Sequence, residues 1–219
     1  MSAAARAPLP LYIVISGRGT NMLAIADACA NGAIAARVVR VIGDRPAAAG
    51  IASARARGLS ADFIPYQQYP DRAAFEAALA ADIDRHGTPL VVLAGFMRIL
   101  TPAFVRRYAG RMLNIHPSLL PAYPGLDTHR RALAAGDAWH GVTVHYVTEE
   151  LDGGPLLRQA RVPVLPGDTE ASLSARVHEQ EYIIYPEVIG WIASGRLQWR
   201  EHAPWLDGQR LTQPVVSGG

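Results

Sequence analysis

Short apolar runs alternate with amphipathic or alanine-rich stretches over about the first 95 residues. Four of these runs predict buried strands, at residues 11–16, 37–43, 59–65 and 90–94. The stretches between them predict three helices, one that follows residues 17–21 and ends at residues 31–32, and two more over residues 46–57 and 71–86. Strand–helix alternation of this kind favours a doubly wound, mostly parallel α/β sheet.

The pattern changes in the second half of the chain. Residues 112–116 predict a further strand, followed by a proline-rich loop to about residue 128. Residues 140–147 and 156–162 alternate apolar and polar positions, as antiparallel strands do, and suggest a hairpin-like pair that turns near residues 152–154.

The C-terminal part begins with a long helix over residues 169–191, with Asp168 or Thr169 as its N-cap. Residues 196–219 predict a short strand and a polar tail. Because no repeat or low-complexity linker interrupts the chain, we expect one domain. We expect this domain to have two halves, at about residues 11–108 and 109–211, with loose tails at 1–9 and 212–219.

The amino-acid composition excludes more kinds of catalytic chemistry than the net charge of +2 does. All 21 basic residues are Arg, so Lys-based nucleophiles and phosphate clamps are excluded. Cys29 is the only cysteine, which excludes an intrachain disulfide, and a small buried hydrophobe is its simplest interpretation. The His residues are irregularly spaced, and we expect no metal.

The distribution of charge and apolar residues also bears on partners. The Arg residues are scattered, and we expect no nucleic-acid partner. No apolar run reaches the roughly 18–20 residues of a membrane span. We therefore expect a cytoplasmic protein with no membrane association.

The turn after the first strand carries the first candidate site. Gly17 and Gly19 allow close approach of the backbone to a ligand, and Thr20 and Asn21 begin a helix whose N-terminus attracts anions. The motif lacks the third Gly and the acidic residue of a dinucleotide site, so we expect no NAD. A phosphate site and a tight turn with no ligand are both compatible with this pattern.

The second candidate site is the pair Asn114 and His116. Residues two apart on a strand point to one face, and this strand ends where α/β sheets place their ligands. An amide beside an imidazole can stabilise an oxyanion and move a proton. The alternative is a pair of polar side chains that are satisfied within the core.

The third candidate is the acidic turn Glu149-Glu150-Leu151-Asp152-Gly153-Gly154. A solvated hairpin tip is one interpretation. The other is that the glycines let Asp152 turn inward, where its carboxylate would favour the charged form of His116.

Several segments together resemble the folate-dependent formyltransferases: Val14-Ile-Ser-Gly-Arg-Gly-Thr-Asn21, Leu93-Ala-Gly-Phe-Met-Arg-Ile-Leu100, Leu113-Asn-Ile-His-Pro-Ser-Leu-Leu-Pro121, Tyr123-Pro-Gly-Leu126 and Glu150-Leu-Asp-Gly-Gly-Pro155. The resemblance runs from about residue 11 to Leu211. It implies a Rossmann-like fold with antiparallel C-terminal strands and a long C-terminal helix. It also implies that the half at about residues 11–108 binds nucleotide or phosphate, and that the half at about residues 109–211 is catalytic and folate-binding.

The resemblance also implies a reaction. The amine of a glycinamide ribonucleotide would attack the formyl carbon of 10-formyltetrahydrofolate, the co-substrate, in purine biosynthesis. Asn114 and protonated His116 would hold the oxyanion, and Asp152 would keep His116 charged and help to relay a proton.

The same resemblance assigns binding residues. The ribonucleotide would contact Gly19, Thr20, Asn21, His178, Glu179, Gln180 and Glu181. The folate would contact Arg72, Met97, Arg98, Ile99, Leu100, Asn114, Thr148, Glu149, Glu150, Leu151 and Asp152. Without the resemblance, Arg72 is equally a surface charge at a helix start, and residues 97–100 are plain core.

Two relatives and one unrelated class remain as alternatives. Methionyl-tRNA formyltransferase carries a basic C-terminal domain, and formyltetrahydrofolate hydrolase carries an N-terminal regulatory domain; the 219-residue length favours neither. A non-catalytic nucleotide sensor would not need Asn114, His116 and Asp152 together. The partners expected are small-molecule substrates, and the chain is a monomer or homodimer.

Overall fold

The computed structural model describes residues 7–46 and 48–218. In chain order, the strands within this part are β1 Leu9–Ile15, β2 Ala36–Gly43, β3 Ala61–Phe63, β4 Leu90–Leu93, β5 Met112–His116, β6 Trp139–Tyr146, β7 Leu156–Pro163, β8 Leu197–Arg200, β9 Ala203–Leu206, β10 Gln209–Arg210 and β11 Val215–Ser217. The helices are α1 Thr20–Ala30, α2 Ala49–Ala56, α3 Arg72–Asp84, α4 Pro102–Arg107, α5 Thr128–Ala135 and α6 Glu170–Ala193, with one 3₁₀ turn at Tyr66–Gln68.

Eight strands form the central sheet in the order β11-β7-β6-β5-β4-β1-β2-β3. Strands β1 to β5 pair in parallel, whereas β6 is antiparallel to both β5 and β7. The predicted fold, a mostly parallel sheet with antiparallel strands and a long helix towards the C-terminus, is confirmed.

The order of the parallel strands creates a crevice. The chain moves outward from β1 to β2 and β3, and then returns to place β4 on the other side of β1. At such a reversal the loops that leave neighbouring strands diverge, and α/β folds place their ligands there. The segments that follow β1, β4 and β5 therefore lie at one edge of the sheet.

Helices cover both faces of the sheet, which explains why the central strands are almost continuously apolar. On one face α1, α2 and α6 contribute side chains such as Met22, Ile51 and Ile189 to the larger core. On the other face α3 and α4 contribute Phe75 and Phe104 to a second core. No helix in the described part of the chain is long and apolar enough to cross a membrane.

Several sequence-based boundaries were wrong. The helix expected over residues 46–57 forms at Ala49–Ala56, and residue 47 lies outside the described part. The strand expected at residues 59–65 is only Ala61–Phe63. Helices α4 and α5 were not predicted; α4 is only six residues long, and α5 begins at Thr128, where the predicted proline-rich loop ends.

The expectation of loose tails was also wrong where the structure describes them. Val215–Ser217 is strand β11, which pairs in parallel with β7 from Arg158 to Ala160. At the other end β1 already begins at Leu9, and residues 1–6 lie outside the described part. Residues 196–211 form the three-stranded sheet β10-β9-β8 rather than a single strand.

Candidate active site

The two strands β5 and β6 place four polar side chains side by side. In their antiparallel register Asn114 lies opposite His145, and His116 lies opposite Thr143. Because side chains alternate along a strand, all four point to the same side of the sheet. The prediction that Asn114 and His116 share a face is confirmed.

His116 is nearly enclosed, with 6% of its surface exposed. Its Nδ1 lies 3.4 Å from Oδ2 of Asp152, and its Nε2 donates to the carbonyl oxygen of Tyr123 at 2.9 Å. Both ring nitrogens therefore face oxygen acceptors. A protonated imidazole has an N–H at each nitrogen and matches this environment.

Asp152 turns inward, as one of the two interpretations of the acidic turn predicted. Its side chain is only 8% exposed, and its Oδ2 also accepts a hydrogen bond from the backbone N–H of Gly125 at 2.9 Å. The backbone of Asp152 is in the left-handed region, with φ of 52°. The turn needs Gly154, because a Cβ at that position would lie 1.9 Å from the carbonyl oxygen of Tyr146.

His145 holds the amide of Asn114. Burial lowers the pKa of His145, which favours a neutral ring. Its Nδ1 donates to the carbonyl oxygen of Tyr146 at 3.0 Å, so the neutral ring has its lone pair at Nε2. The amide nitrogen of Asn114 lies 3.4 Å from this Nε2 and can donate to it, which leaves the second amide hydrogen free.

The glycine-rich turn after β1 leads directly into α1. Gly19 is the N-cap residue in a left-handed conformation, with φ of 71°, and no side chain caps the helix. A Cβ at this position would approach Gly50 and Met22 at 3.2 and 3.0 Å. The turn therefore requires glycine, and the start of α1 is open to an anion.

Helix α6 reaches this turn through Glu181. The buried carboxylate of Glu181 accepts a hydrogen bond from the amide nitrogen of Asn21 at 2.6 Å. Burial raises the pKa of Glu181, and the Asn21 hydrogen bond opposes the shift. The amide oxygen of Asn21 is buried and has no hydrogen-bond partner among the described residues, so it is available to a donor on a ligand.

Tyr185 fixes α6 one turn further along. Its hydroxyl lies 2.9 Å from the carbonyl oxygen of Leu93, the last residue of β4, and 3.2 Å from that of Leu113, near the start of β5. Burial raises the pKa of this phenol well above its ordinary value, so it stays a donor. Sequence reasoning missed Tyr185, because a single aromatic residue in an apolar helix gives no signal.

A cavity of about 270 Å³ lies beside this edge of the sheet. It is lined by five of the predicted folate-binding residues together with three others: Arg72, Met97, Arg98, Ile99 and Leu100, with Tyr66, Phe75 and Glu76. Met97 and Ile99 are exposed, at 66% and 60%. Plain core is therefore the wrong interpretation of these two residues.

The remaining predicted residues are more peripheral. On the acidic turn Glu149, Glu150 and Leu151 are exposed and Thr148 is half-buried; Glu149 pairs with Arg106 at 2.8 Å. On α6 Glu179 is exposed, whereas His178 and Gln180 are half-buried, and His178 stacks on Tyr182. No cluster of three or more possible metal ligands occurs among the described residues.

Sequence reasoning also missed the backbone groups that complete the site. The Tyr123 carbonyl and the Gly125 N–H come from the loop after β5, and their contacts depend on how that loop folds back. The Tyr-Pro-Gly-Leu segment of the resemblance includes both residues and was the available signal.

Comparison with known proteins identifies the family. The formyl transferase family matches residues 11–189 of the chain. Phosphoribosylglycinamide formyltransferase of Escherichia coli K12 is 52% identical over 201 residues, which cover 92% of this chain and 95% of that protein. The human trifunctional purine biosynthetic protein adenosine-3 is 40% identical over 190 residues, which cover 87% of this chain and 19% of that protein.

Solved structures agree with this relationship. The phosphoribosylglycinamide formyltransferase of Coxiella burnetii superimposes with a TM-score of 0.91 at 49% identity, over 96% of this chain and all of that one. The chain belongs to the formyl transferase family. Within that family, relatives at 44–52% identity carry the name phosphoribosylglycinamide formyltransferase or glycinamide ribonucleotide transformylase.

Proposed function

We propose that this chain transfers the formyl group of 10-formyltetrahydrofolate to the amine of N1-(5-phospho-D-ribosyl)glycinamide, a step of de novo purine biosynthesis. The observation that carries the proposal is the group of Asn114 with the nearly buried His116 and Asp152, at the sheet edge where the uncapped helix α1 also begins. The relatives' names supply the substrates, and the site supplies groups suited to acyl transfer.

The reaction needs no covalent enzyme intermediate. The substrate amine bonds to the formyl carbon, and the carbonyl electrons move to oxygen to give a tetrahedral oxyanion. Collapse restores the carbonyl and breaks the bond between the formyl carbon and the folate nitrogen. The amine loses one proton and the folate nitrogen gains one, so a proton relay is required.

Three side chains are suited to these demands. The free amide hydrogen of Asn114 and an N–H of His116 would donate to the oxyanion. The carboxylate of Asp152 would stabilise the charged form of His116 and accept the amine proton, through water where the distance requires it. Because Nε2 of His116 donates to the Tyr123 carbonyl, its use as an oxyanion donor requires the oxyanion to replace that carbonyl.

Binding follows from the surrounding elements. The ribonucleotide phosphate would lie at Gly19–Asn21, and Glu181 would contact the sugar or glycinamide part, with residues 178–180 nearby on α6. The folate would occupy the cleft at residues 97–100 against Thr148–Asp152, with Arg72 near its carboxylate tail. We also propose that the chain acts in the cytoplasm, as a monomer or homodimer.

The test is a steady-state assay with both substrates. We expect saturable formyl transfer by the wild-type chain, and a fall in kcat of about 10²-fold or more for Asn114→Ala and for His116→Ala, because each removes one oxyanion donor. Binding of the ribonucleotide should survive in both variants. Near-normal turnover by either variant would contradict its proposed role.

The same assay distinguishes the alternatives. A formyltetrahydrofolate hydrolase would release formate at a similar rate whether or not the ribonucleotide is present. A nucleotide sensor would bind the ribonucleotide and transfer nothing.

A further inference from the structure

Residues 97–100 form the proposed folate-binding segment, in which Met97 and Ile99 are exposed. Buried polar side chains hold this segment in place through hydrogen bonds. Ser16 accepts a hydrogen bond from the backbone N–H of Met97 at 2.9 Å, just after β4. Glu76 on α3 accepts one from the backbone N–H of Thr101 at 2.7 Å, at the start of α4. Both ends of the segment are therefore anchored through the backbone.

The centre of the segment is anchored through the side chain of Arg98. Its Nε donates to Oδ2 of Asp44 at 2.5 Å, and its guanidinium lies 3.7 Å from the ring centroid of Tyr66. The plane of an arginine suits this arrangement, because it can stack on an aromatic face while its edge donates to a carboxylate. The backbone links the two partners, since Tyr66 N–H donates to the carbonyl oxygen of Asp44 at 3.0 Å.

Asp44 lies directly after β2 and is 1% exposed. Its other oxygen, Oδ1, has no hydrogen-bond partner among the described residues and lies 3.5 Å from Nε of Arg45. A buried ion pair often adds no stability relative to apolar residues of similar size, because both charges lose their hydration. The clear contribution of Asp44 in this structure is to hold Arg98.

We propose that Asp44 is a positioning residue for the formyl-folate substrate, acting through Arg98 and Tyr66. The carboxylate compensates the Arg98 charge and draws the guanidinium back against Tyr66, which fixes the wall of the cavity. Without it, the guanidinium is free to swing into the cavity that Arg98 lines. This inference rests on the proposed function, because it assumes that the cavity receives the folate.

The experiment is a kinetic comparison of Asp44→Ala, Arg98→Met and the double variant. For Asp44→Ala we expect the KM for 10-formyltetrahydrofolate to rise about tenfold, the size of effect that misplacing a binding segment can produce. The KM for the ribonucleotide and kcat should stay within about twofold. If Asp44 acts through Arg98, the double variant should be no worse than the more affected single variant.

Asp82→Ala is the matched control. Asp82 is also a buried aspartate that accepts from an arginine, Arg40, at 3.3 Å, and from the Tyr12 hydroxyl at 2.7 Å, but it does not line the cavity. Its loss should lower the melting temperature and leave the folate KM unchanged. This control separates a general loss of stability from a loss of positioning.

The possible outcomes separate the proposed function from the role of Asp44. Absence of formyl transfer by the wild-type chain would overturn the proposed function and this inference with it. Transfer by the wild type with an unchanged folate KM in Asp44→Ala, or additive effects in the double variant, would overturn the inference alone. Arg98→Met with an unchanged folate KM would also overturn it, even if Asp44→Ala failed to fold.

Discussion

At the scale of single residues, the orientation of one amide depends on the charge state of its neighbour. His145 is buried and its pKa is lowered, so its Nε2 is available as an acceptor for the Asn114 amide. A protonated ring would present an N–H to the same amide nitrogen and lose this contact. His145 therefore determines which end of the Asn114 side chain faces it.

Replacing His145 with Phe should test this role, because Phe fills similar space without an acceptor. We expect kcat to fall about tenfold, the cost of a weakened oxyanion donor, while both KM values change less than twofold. The measurement is steady-state kinetics, with exposed His202→Phe as the control. An unchanged kcat, or a change confined to KM, would show that Asn114 keeps its orientation without His145.

Sequence reasoning identified the three catalytic candidates, but it did not establish the contact between His145 and Asn114. The two-residue spacing of Asn114 and His116 is local information, since it follows from the alternation of any strand. The position of His145 opposite Asn114 depends on the register of β6 against β5, which no local pattern specifies. The sequence alone therefore does not place His145 beside Asn114.

At the scale of elements, the turn between β1 and α1 combines a backbone requirement with a steric one. Gly19 has a positive φ and also lies close to Gly50 of α2. Gly32, just beyond α1, has a similar φ of 77°, but an added Cβ would meet nothing within 4 Å. Alanine substitutions at Gly19 and Gly32 can therefore separate the cost of backbone strain from the cost of steric contact.

For Gly19→Ala we expect a loss of stability larger than the roughly 1 kcal/mol that a left-handed alanine costs, together with a higher KM for the ribonucleotide. Gly32→Ala should show the strain cost alone and an unchanged KM. Urea unfolding and steady-state kinetics measure the two effects. Equal losses of stability in the two variants would argue against the contact with Gly50.

Elements with strong local patterns were predicted closely, and those that depend on tertiary contacts were not. Strand β5 was predicted with its observed bounds, and the cap Thr169 of α6 was one of two proposed. The six residues of α4 contain too little periodicity to identify a helix. Strand β11 exists because β7 offers an edge, which is not visible in its own three residues.

At the scale of the whole molecule, β11 protects one edge of the central sheet. Besides its ladder with β7, the carbonyl oxygen of Val215 accepts from Arg158 at 3.2 Å, and Arg158 also pairs with Glu187 of α6 at 2.9 Å. Arg158 of β7 thus links β11 to helix α6.

Removal of residues 212–219 should therefore lower stability by about 1–2 kcal/mol, the net value of one or two hydrogen bonds. For a chain of this size the melting temperature should fall by about 2–8 °C. Activity should persist, because β11 lies three strands from β5. A chain lacking only residues 218–219 is the control, and identical melting temperatures for the two truncations would contradict a stabilising role for β11.

Acid should destabilise the fold through its buried histidines. The pKa of His140 is lowered from 6.5 to about 4. Burial is the largest cause of this shift, and the neighbouring His129 is the second. The unfolded chain therefore binds a proton below pH 6.5 that the folded chain does not take up until about pH 4. The stability contributed above pH 6.5 is lost as the pH falls through this interval, by at most about 1.4 kcal/mol per pH unit.

The pKa values of His129 and His145 are also lowered and act with the same sign. Urea unfolding at pH 7 and pH 5 should show a shallower decline for His140→Gln than for the wild type. Exposed His202→Gln should retain the wild-type decline. Equal slopes for wild type and His140→Gln would show that His140 does not contribute.

The register of β5 against β6 limits where this chain can gain or lose residues during evolution. One residue inserted within β5 ahead of Asn114 would turn Asn114 and His116 to the opposite face, because side chains alternate with a period of two. The turn at Gly154 is equally intolerant, since its backbone lies against Tyr146. Length changes should instead accumulate at open turns such as those of Gly58 and Gly87, where an added Cβ meets nothing within 4 Å.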